Sequence, residues 1–180
     1  MKTLLNNRPG MFLKTAFPGA GLFFLILIFA SPLLNAQGKN PDFSGKWTFN
    51  ESKSKMGDNG PGGIAITLTI TQNDNQMTIV RVSKNRNGDE MTITDNLTLD
   101  GKETDNSSGN RTRKSSATWT DGGKSLTIKY HMTFNRNGQD MNVDTNEVCK
   151  LQDPKTLVID FKSKSDRGER AGTRVYDKTM

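Results

Sequence analysis

A chain of 180 residues with 25 Lys and Arg against 19 Asp and Glu carries a net charge of +6, and it holds one cysteine and one histidine. The lone Cys149 excludes an intramolecular disulfide, and one His with one Cys excludes the usual soft metal centres, which need several such ligands. The length suits a single domain.

Residues 1–36 read as an export signal. Lys2, Arg8 and Lys14 form a basic region with no acidic residue, "AGLFFLILIFA" is an apolar core, and "SPLLNA" ends on the small Ala36. That order of basic, apolar and small is the order of a secretory signal, with cleavage expected after Ala36. A retained membrane anchor is the rival: Phe17 to Leu34 is uncharged for 18 residues, near the lower limit of a span, but Pro18, Gly19 and Pro32 stand at its ends. Removing residues 1–36 takes three of the 25 basic residues and none of the 19 acidic ones, which leaves +3 over 144 residues. Nucleic-acid binding would want a strong basic stripe rather than interleaved Lys, Asp, Asn and Arg, so no nucleic-acid partner is expected. The mature protein, residues 37–180, is expected in the periplasm or outside the cell with no transmembrane segment.

From Phe43 onward the pattern has a period of two. "IAITLTI" puts Ile64, Ile66, Leu68 and Ile70 on one face, and "QMTIVRV" continues with Met77, Ile79 and, in the same phase, Arg81. "EMTITDNLTL" supplies Met91, Ile93, Leu97 and Leu99, with Asp95 in phase between them. "SATWT" gives Ala117 and Trp119, and "SLTIKYHMTF" gives Leu126, Ile128, Tyr130, Met132 and Phe134. "MNVDTNEVCKL", "TLVIDF" and "GTRVYD" complete the series, with Glu147 in phase with Val143 and Cys149. Asn-Gly, Asp-Gly and similar pairs between these runs suit tight hairpins. Nine strands are expected, at 43–50, 64–71, 76–84, 89–99, 112–120, 125–134, 139–151, 155–163 and 171–178. "NRNGDEMTITDN" at 85–96 echoes "NRNGQDMNVDTN" at 135–146, as if one strand–turn–strand module were reused. The fold class is all-β, an antiparallel up-and-down meander of eight to ten strands. Such a meander removes its edges by curling until the first and last strands meet, and a barrel of that size is either filled or holds one small ligand.

The candidate inner wall is Ile64, Ile66, Leu68, Ile70, Met77, Ile79, Leu126, Ile128, Tyr130 and Met132, with Arg81, Asp95 and Glu147 as polar anchors if the phase holds. His131 falls in the opposite phase and reads as a solvent-facing strand residue, and Cys149 reads as a buried thiol. No catalytic set, metal site or cofactor is expected.

The stretch "FSGKW", Phe43 to Trp47, resembles the first-strand signature of the lipocalin and fatty-acid-binding superfamily. With the residues that follow, it is similar to small exported lipocalin-like proteins of bacteria. The resemblance implies a lipocalin-like barrel whose narrow end is closed by Phe43, Gly45 and Trp47. It also implies a basic residue of the last strand lying over the Trp ring, and Arg174 is the candidate. Two features depart from the pattern. No helical pattern follows the last strand, and "ESKSKMGDNGPGG", with 13 residues and four glycines, is too short and glycine-rich for a helical lid. The expected function is non-catalytic binding of a small apolar or amphipathic molecule in the lumen. The alternative is a filled barrel acting as a structural or protein-interaction module of the cell envelope.

Overall fold

The computed structural model describes residues 39–57, 64–85, 87–136 and 138–179, so the expected signal and its cleavage site lie outside the described residues. The strands are β1 (Gly45–Phe49), β2 (Lys55–Met56), β3 (Ala65–Asn73), β4 (Gln76–Lys84), β5 (Glu90–Thr98) and β6 (Asp100–Asp105). They continue as β7 (Arg111–Thr120), β8 (Ser125–Arg136), β9 (Gln139–Asp153), β10 (Thr156–Ser165) and β11 (Gly168–Thr179). Around the sheet they run β5-β4-β3-β1-β11-β10-β9-β8-β7-β6, with the short β2 added beside β11. Apart from β2 and the β5/β6 pair, strands adjacent in sequence are adjacent in the sheet, and β1 pairs β11 from Lys46↔Thr179 to Phe49↔Tyr176. The result is an antiparallel up-and-down meander curled into a barrel in which β1 meets β11. Among the described residues no helix is long and apolar enough to cross a membrane.

Two strands escape the sequence pattern. β6, "DGKETD", has no apolar residue and is almost wholly exposed, so alternation cannot reveal it; it exists because β7 pairs with it. β2 lies in the glycine-rich segment after β1 and is ordered by Gly172 and Thr173 of β11. A third difference concerns phase. A register shift between Ala65 and Thr67, against β4, lets Ala65 turn inward and leaves Ile66 half-buried outside the core cluster. Ile66 is therefore not an inner-wall residue: a bulge changes which face the following side chain meets, and a period-two reading cannot anticipate it.

The closed end is built on Trp47, which is fully buried and donates its indole N–H to the Phe43 carbonyl at 2.9 Å. Phe43 in turn stacks on Trp119, with ring centroids 5.9 Å apart. Gln72 clamps this segment, accepting from the Phe43 N–H at 3.1 Å and donating to the Pro41 carbonyl at 3.0 Å. The cation over the Trp47 ring is Lys178, at 5.1 Å, and not Arg174. The register decides this: Lys178 is the cross-strand partner of Trp47, whereas Arg174 lies opposite Ile159. Gly45 makes room for it. Its φ of +135° suits glycine, and a Cβ there would stand 2.6 Å from Lys178 Cε.

Below the rings, Leu68, Ile70, Met77, Ile79, Leu126, Ile128, Leu157 and Ile159 pack on one another with Cys149. The gap they share is about 10 Å³, room for no more than a single water. Trp47→Ala is expected to cost about 3–5 kcal/mol in urea unfolding, as for other buried aromatic truncations. Lys178→Met is expected to cost about 1 kcal/mol or less, the value of an exposed cation–π contact.

Candidate functional site

The site begins where the apolar packing stops. Along each strand successive inward positions climb from the Trp47 end towards the ends of β4 and β8, where β5 and β9 begin. On β7, β8 and β9 the inward rows are Ala117–Ile128–Glu147, then Ser115–Tyr130–Thr145, then Arg113–Met132–Val143, then Arg111–Phe134–Met141. Chemistry changes abruptly at Glu147: below it the rows are apolar, and above it they carry arginines and a tyrosine.

Five charged side chains form one alternating chain across the interior. Arg113 grips Asp95 with two nitrogens, Nε–Oδ1 at 2.5 Å and Nη2–Oδ2 at 3.1 Å. Asp95 also accepts from Arg81 Nε at 3.1 Å, and Arg81 Nη2 reaches Glu147 Oε2 at 2.8 Å. Glu147 Oε1 then accepts from Arg174 Nη1 at 3.0 Å. The order is Arg113, Asp95, Arg81, Glu147, Arg174, carried by β7, β5, β4, β9 and β11. Arg81 Nη2 also donates to the Tyr130 hydroxyl. The Tyr130 ring lies under two guanidinium groups, Arg113 at 4.2 Å and Arg81 at 5.3 Å, while Arg174 covers Phe161 at 3.9 Å.

Burial and charge set the protonation states. Burial alone would push the Glu147 carboxyl up, but Arg81 and Arg174 outweigh it and hold the group below the usual glutamate range. Burial would draw a proton off Arg81, yet Glu147, Tyr130 and Asp95 hold it on more firmly than usual. Burial pushes the Tyr130 hydroxyl well above 10, moves Tyr176 up to about 12 and raises the Cys149 thiol. None of these three deprotonates near neutral pH, so Cys149 has no nucleophilic thiolate to offer. His131 is exposed and bonded to Asp144 at 2.7 Å, away from the interior.

Above the ionic layer lies an open cavity of about 300 Å³. Arg81, Arg111, Arg113, Arg174 and Glu147 supply its charge; Tyr130, Met132, Phe134, Ile93 and Ala65 supply most of its apolar wall. Of the sequence-predicted wall residues, Arg81, Tyr130 and Met132 border this cavity. Leu68, Met77, Ile79 and Ile128 are in the filled half, so the open space lies nearer the hairpin turns than the apolar pattern suggested. Phe43, Gly45 and Trp47 stand at the closed end, and Arg174 stands in the ionic layer instead.

Arg111 and Arg113 are the site residues that sequence reasoning missed. A signal was there: counting back by twos from Trp119 and Ala117 along "RTRKSSATW" puts 115, 113 and 111 on the inward face. Asp95 and Glu147 were found by that same counting. Their partners depend on strands brought together across the barrel. Among the described residues no group of three or more His, Cys, Asp and Glu is placed to hold a metal.

These features define a small β-barrel with a packed floor, an ionic middle layer and an open cationic upper cavity. No protein-family model matches the chain, and no curated protein matches it. Among solved structures it is similar to the zebrafish ileal bile acid-binding protein crystallised with cholic acid. The two share 17% identity over 76% of this chain and 98% of that one, with a TM-score of 0.46.

Removing one end of the ionic chain leaves a buried carboxylate short of a partner. Arg113→Met is expected to destabilise the barrel by about 3–5 kcal/mol, read by urea unfolding. A carboxyl lowered on folding contributes stability that is complete above its ordinary pKa, 4.5 for Glu147, and is lost as pH falls towards the folded value. The urea midpoint is therefore expected to fall as pH drops from about 5 to about 3. It should fall less steeply in Glu147→Gln, and equal slopes would count against this role for Glu147.

Proposed function

We propose that the barrel is a non-catalytic carrier for one small amphipathic anion, seated in the upper cavity. The observation that carries this reading is the charge of the cavity wall. Arg81, Arg111, Arg113 and Arg174 meet only Asp95 and Glu147, four positive groups against two negative ones. Arg111 makes no ion pair among the described residues, and the buried Nε of Arg174 has no hydrogen-bond partner there. A ligand with an acidic head group would neutralise that surplus with charge-assisted hydrogen bonds. Its apolar body would lie on Met132, Phe134, Ile93 and Ala65, and methionine adapts to varied shapes. A volume of about 300 Å³ is at the small end for such pockets, which favours a compact ligand over a long chain. The basic, apolar and small segments of residues 1–36 support export, with the carrier working in the periplasm or outside the cell.

Two fluorescent probes of nearly equal shape separate this reading from general greasiness: anilinonaphthalene sulfonate, which is anionic, and N-phenyl-1-naphthylamine, which is neutral. The sulfonate is expected to bind at a single saturable site and more tightly, with affinity falling as salt rises. Arg111→Gln should weaken the sulfonate about tenfold, as the loss of one charged hydrogen bond would, and leave the neutral probe unchanged. Equal binding of both probes, or sulfonate binding untouched by Arg111→Gln and by the cavity-filling Met132→Trp, would overturn the proposal.

A further inference from the structure

The barrel is not hydrogen-bonded all the way round. β5 pairs only with β4, and β6 only with β7, so a seam separates two strands that follow one another in the chain. Besides the Arg113–Asp95 pair inside, one residue spans the seam on the backbone side. The Asn106 side chain accepts from the Asn96 backbone N–H at 2.7 Å and donates to the Asn96 carbonyl at 3.0 Å. A carboxamide that both donates to and accepts from one strand residue reproduces a rung of an antiparallel ladder. Asn106 thus occupies the first rung of the β5 edge with a stand-in for a peptide group.

The following rungs are open. Backbone groups two residues apart point to the same side of a strand, so those of Thr94, Thr92 and Glu90 face the seam as those of Asn96 do. The opposite parity faces β4, as the Met91 carbonyl does in accepting from Ser83. No hydrogen bond among the described residues reaches the seam-side groups of Thr92 or Thr94. Alongside them lies a cleft of about 500 Å³, lined on the β5 side by Thr92, Ile93 and Thr94 and on the far side by the 105–113 segment. The edge from Glu90 to Thr94 is about 14 Å long, the length of a short extended segment. Arg111 and Arg113 border the cleft; Arg113 is already held by Asp95, and the carboxylate lining the cleft, Asp105, is occupied by the Ser107 backbone N–H.

We propose that the seam is a docking site for an extended, acidic peptide segment of a partner protein, which adds to β5 as a further strand. Main-chain hydrogen bonds to Thr92 and Thr94 hold the segment, as in other cases of strand addition to a sheet edge. An acidic side chain of the peptide meets Arg111. The free edge and the Asn106 amide argue for a peptide rather than another polar ligand, because they offer the spacing of a backbone. This goes beyond the ligand of the upper cavity, with which the cleft shares only Ile93, Arg111 and Arg113.

The test titrates the purified protein with the heptapeptide Thr-Val-Asp-Val-Asp-Val-Thr and with its counterpart bearing Lys in place of Asp, followed by amide NMR. The acidic peptide is expected to shift the amides of residues 90, 92 and 94 and slow their hydrogen exchange, and the lysine peptide is not. Thr92→Pro removes one seam-facing N–H without touching the β4 ladder, as proline is tolerated on edge strands. It should weaken the acidic peptide at least about tenfold while leaving the unfolding curve and sulfonate uptake as in the wild type. Thr94→Pro, one rung on, should act alike and guards against an effect special to position 92. Shifts confined to other residues, equal binding of both peptides, or acidic-peptide binding unaffected by both proline variants would overturn the proposal.

Discussion

The alternating chain from Arg113 through Asp95, Arg81 and Glu147 to Arg174 is the constraint on which the rest of the molecule depends. Its members come from five strands, and every link but Arg81–Asp95, which joins the paired strands β4 and β5, is between strands that are not paired with each other. Arg81 is the strut, joining β4 to β9 across the interior. Burying charge is costly, and a buried pair offsets that cost only when its geometry is good and its remaining valences are used. Here both oxygens of each carboxylate are engaged and three arginines surround two acids. The layer is consequently electropositive without being unpaired. It separates a floor that excludes even a second water from a cavity that admits a small molecule.

Closure and opening have the same origin. A meander curls until its termini meet, and β1 against β11 achieves that with Trp47 beneath Lys178. The ring then has one discontinuity, between β5 and β6, where the chain passes over without forming a ladder. Exposed edges are hazards that proteins manage. Three devices manage this one: the Arg113–Asp95 pair inside, the Asn106 amide on the backbone, and a polar cleft wall beyond. The seam and the upper cavity meet at Ile93, Arg111 and Arg113, so whatever fills one adjoins the other.

How much of this was legible depends on the kind of signal. The strands with one apolar face, from "IAITLTI" to "GTRVYD", announced themselves because a half-buried strand must alternate. The alternation also put Arg81, Asp95 and Glu147 in phase with apolar neighbours, and the structure turns all three inward, since phase is a property of the backbone and not of polarity. β6 did not announce itself, because an edge strand exposed on nearly every residue needs no apolar pattern. Ile66 was misplaced because a bulge at Ala65 breaks phase without a mark in composition. Arg113 and Arg111 stood in phase all along but in a strand whose apolar members are few.

By itself the sequence determined the all-β meander, most of the turn positions and that the ionisable residues stand in phase with apolar neighbours, because these follow from local periodicity and turn chemistry. Only the tertiary structure decided which cation covers Trp47, which arginine meets which carboxylate, and where the interior is full or open. Those outcomes depend on register between strands distant in the chain, and a slide of a few residues between β1 and β11 would exchange Lys178 for another partner with no change in the alternating pattern.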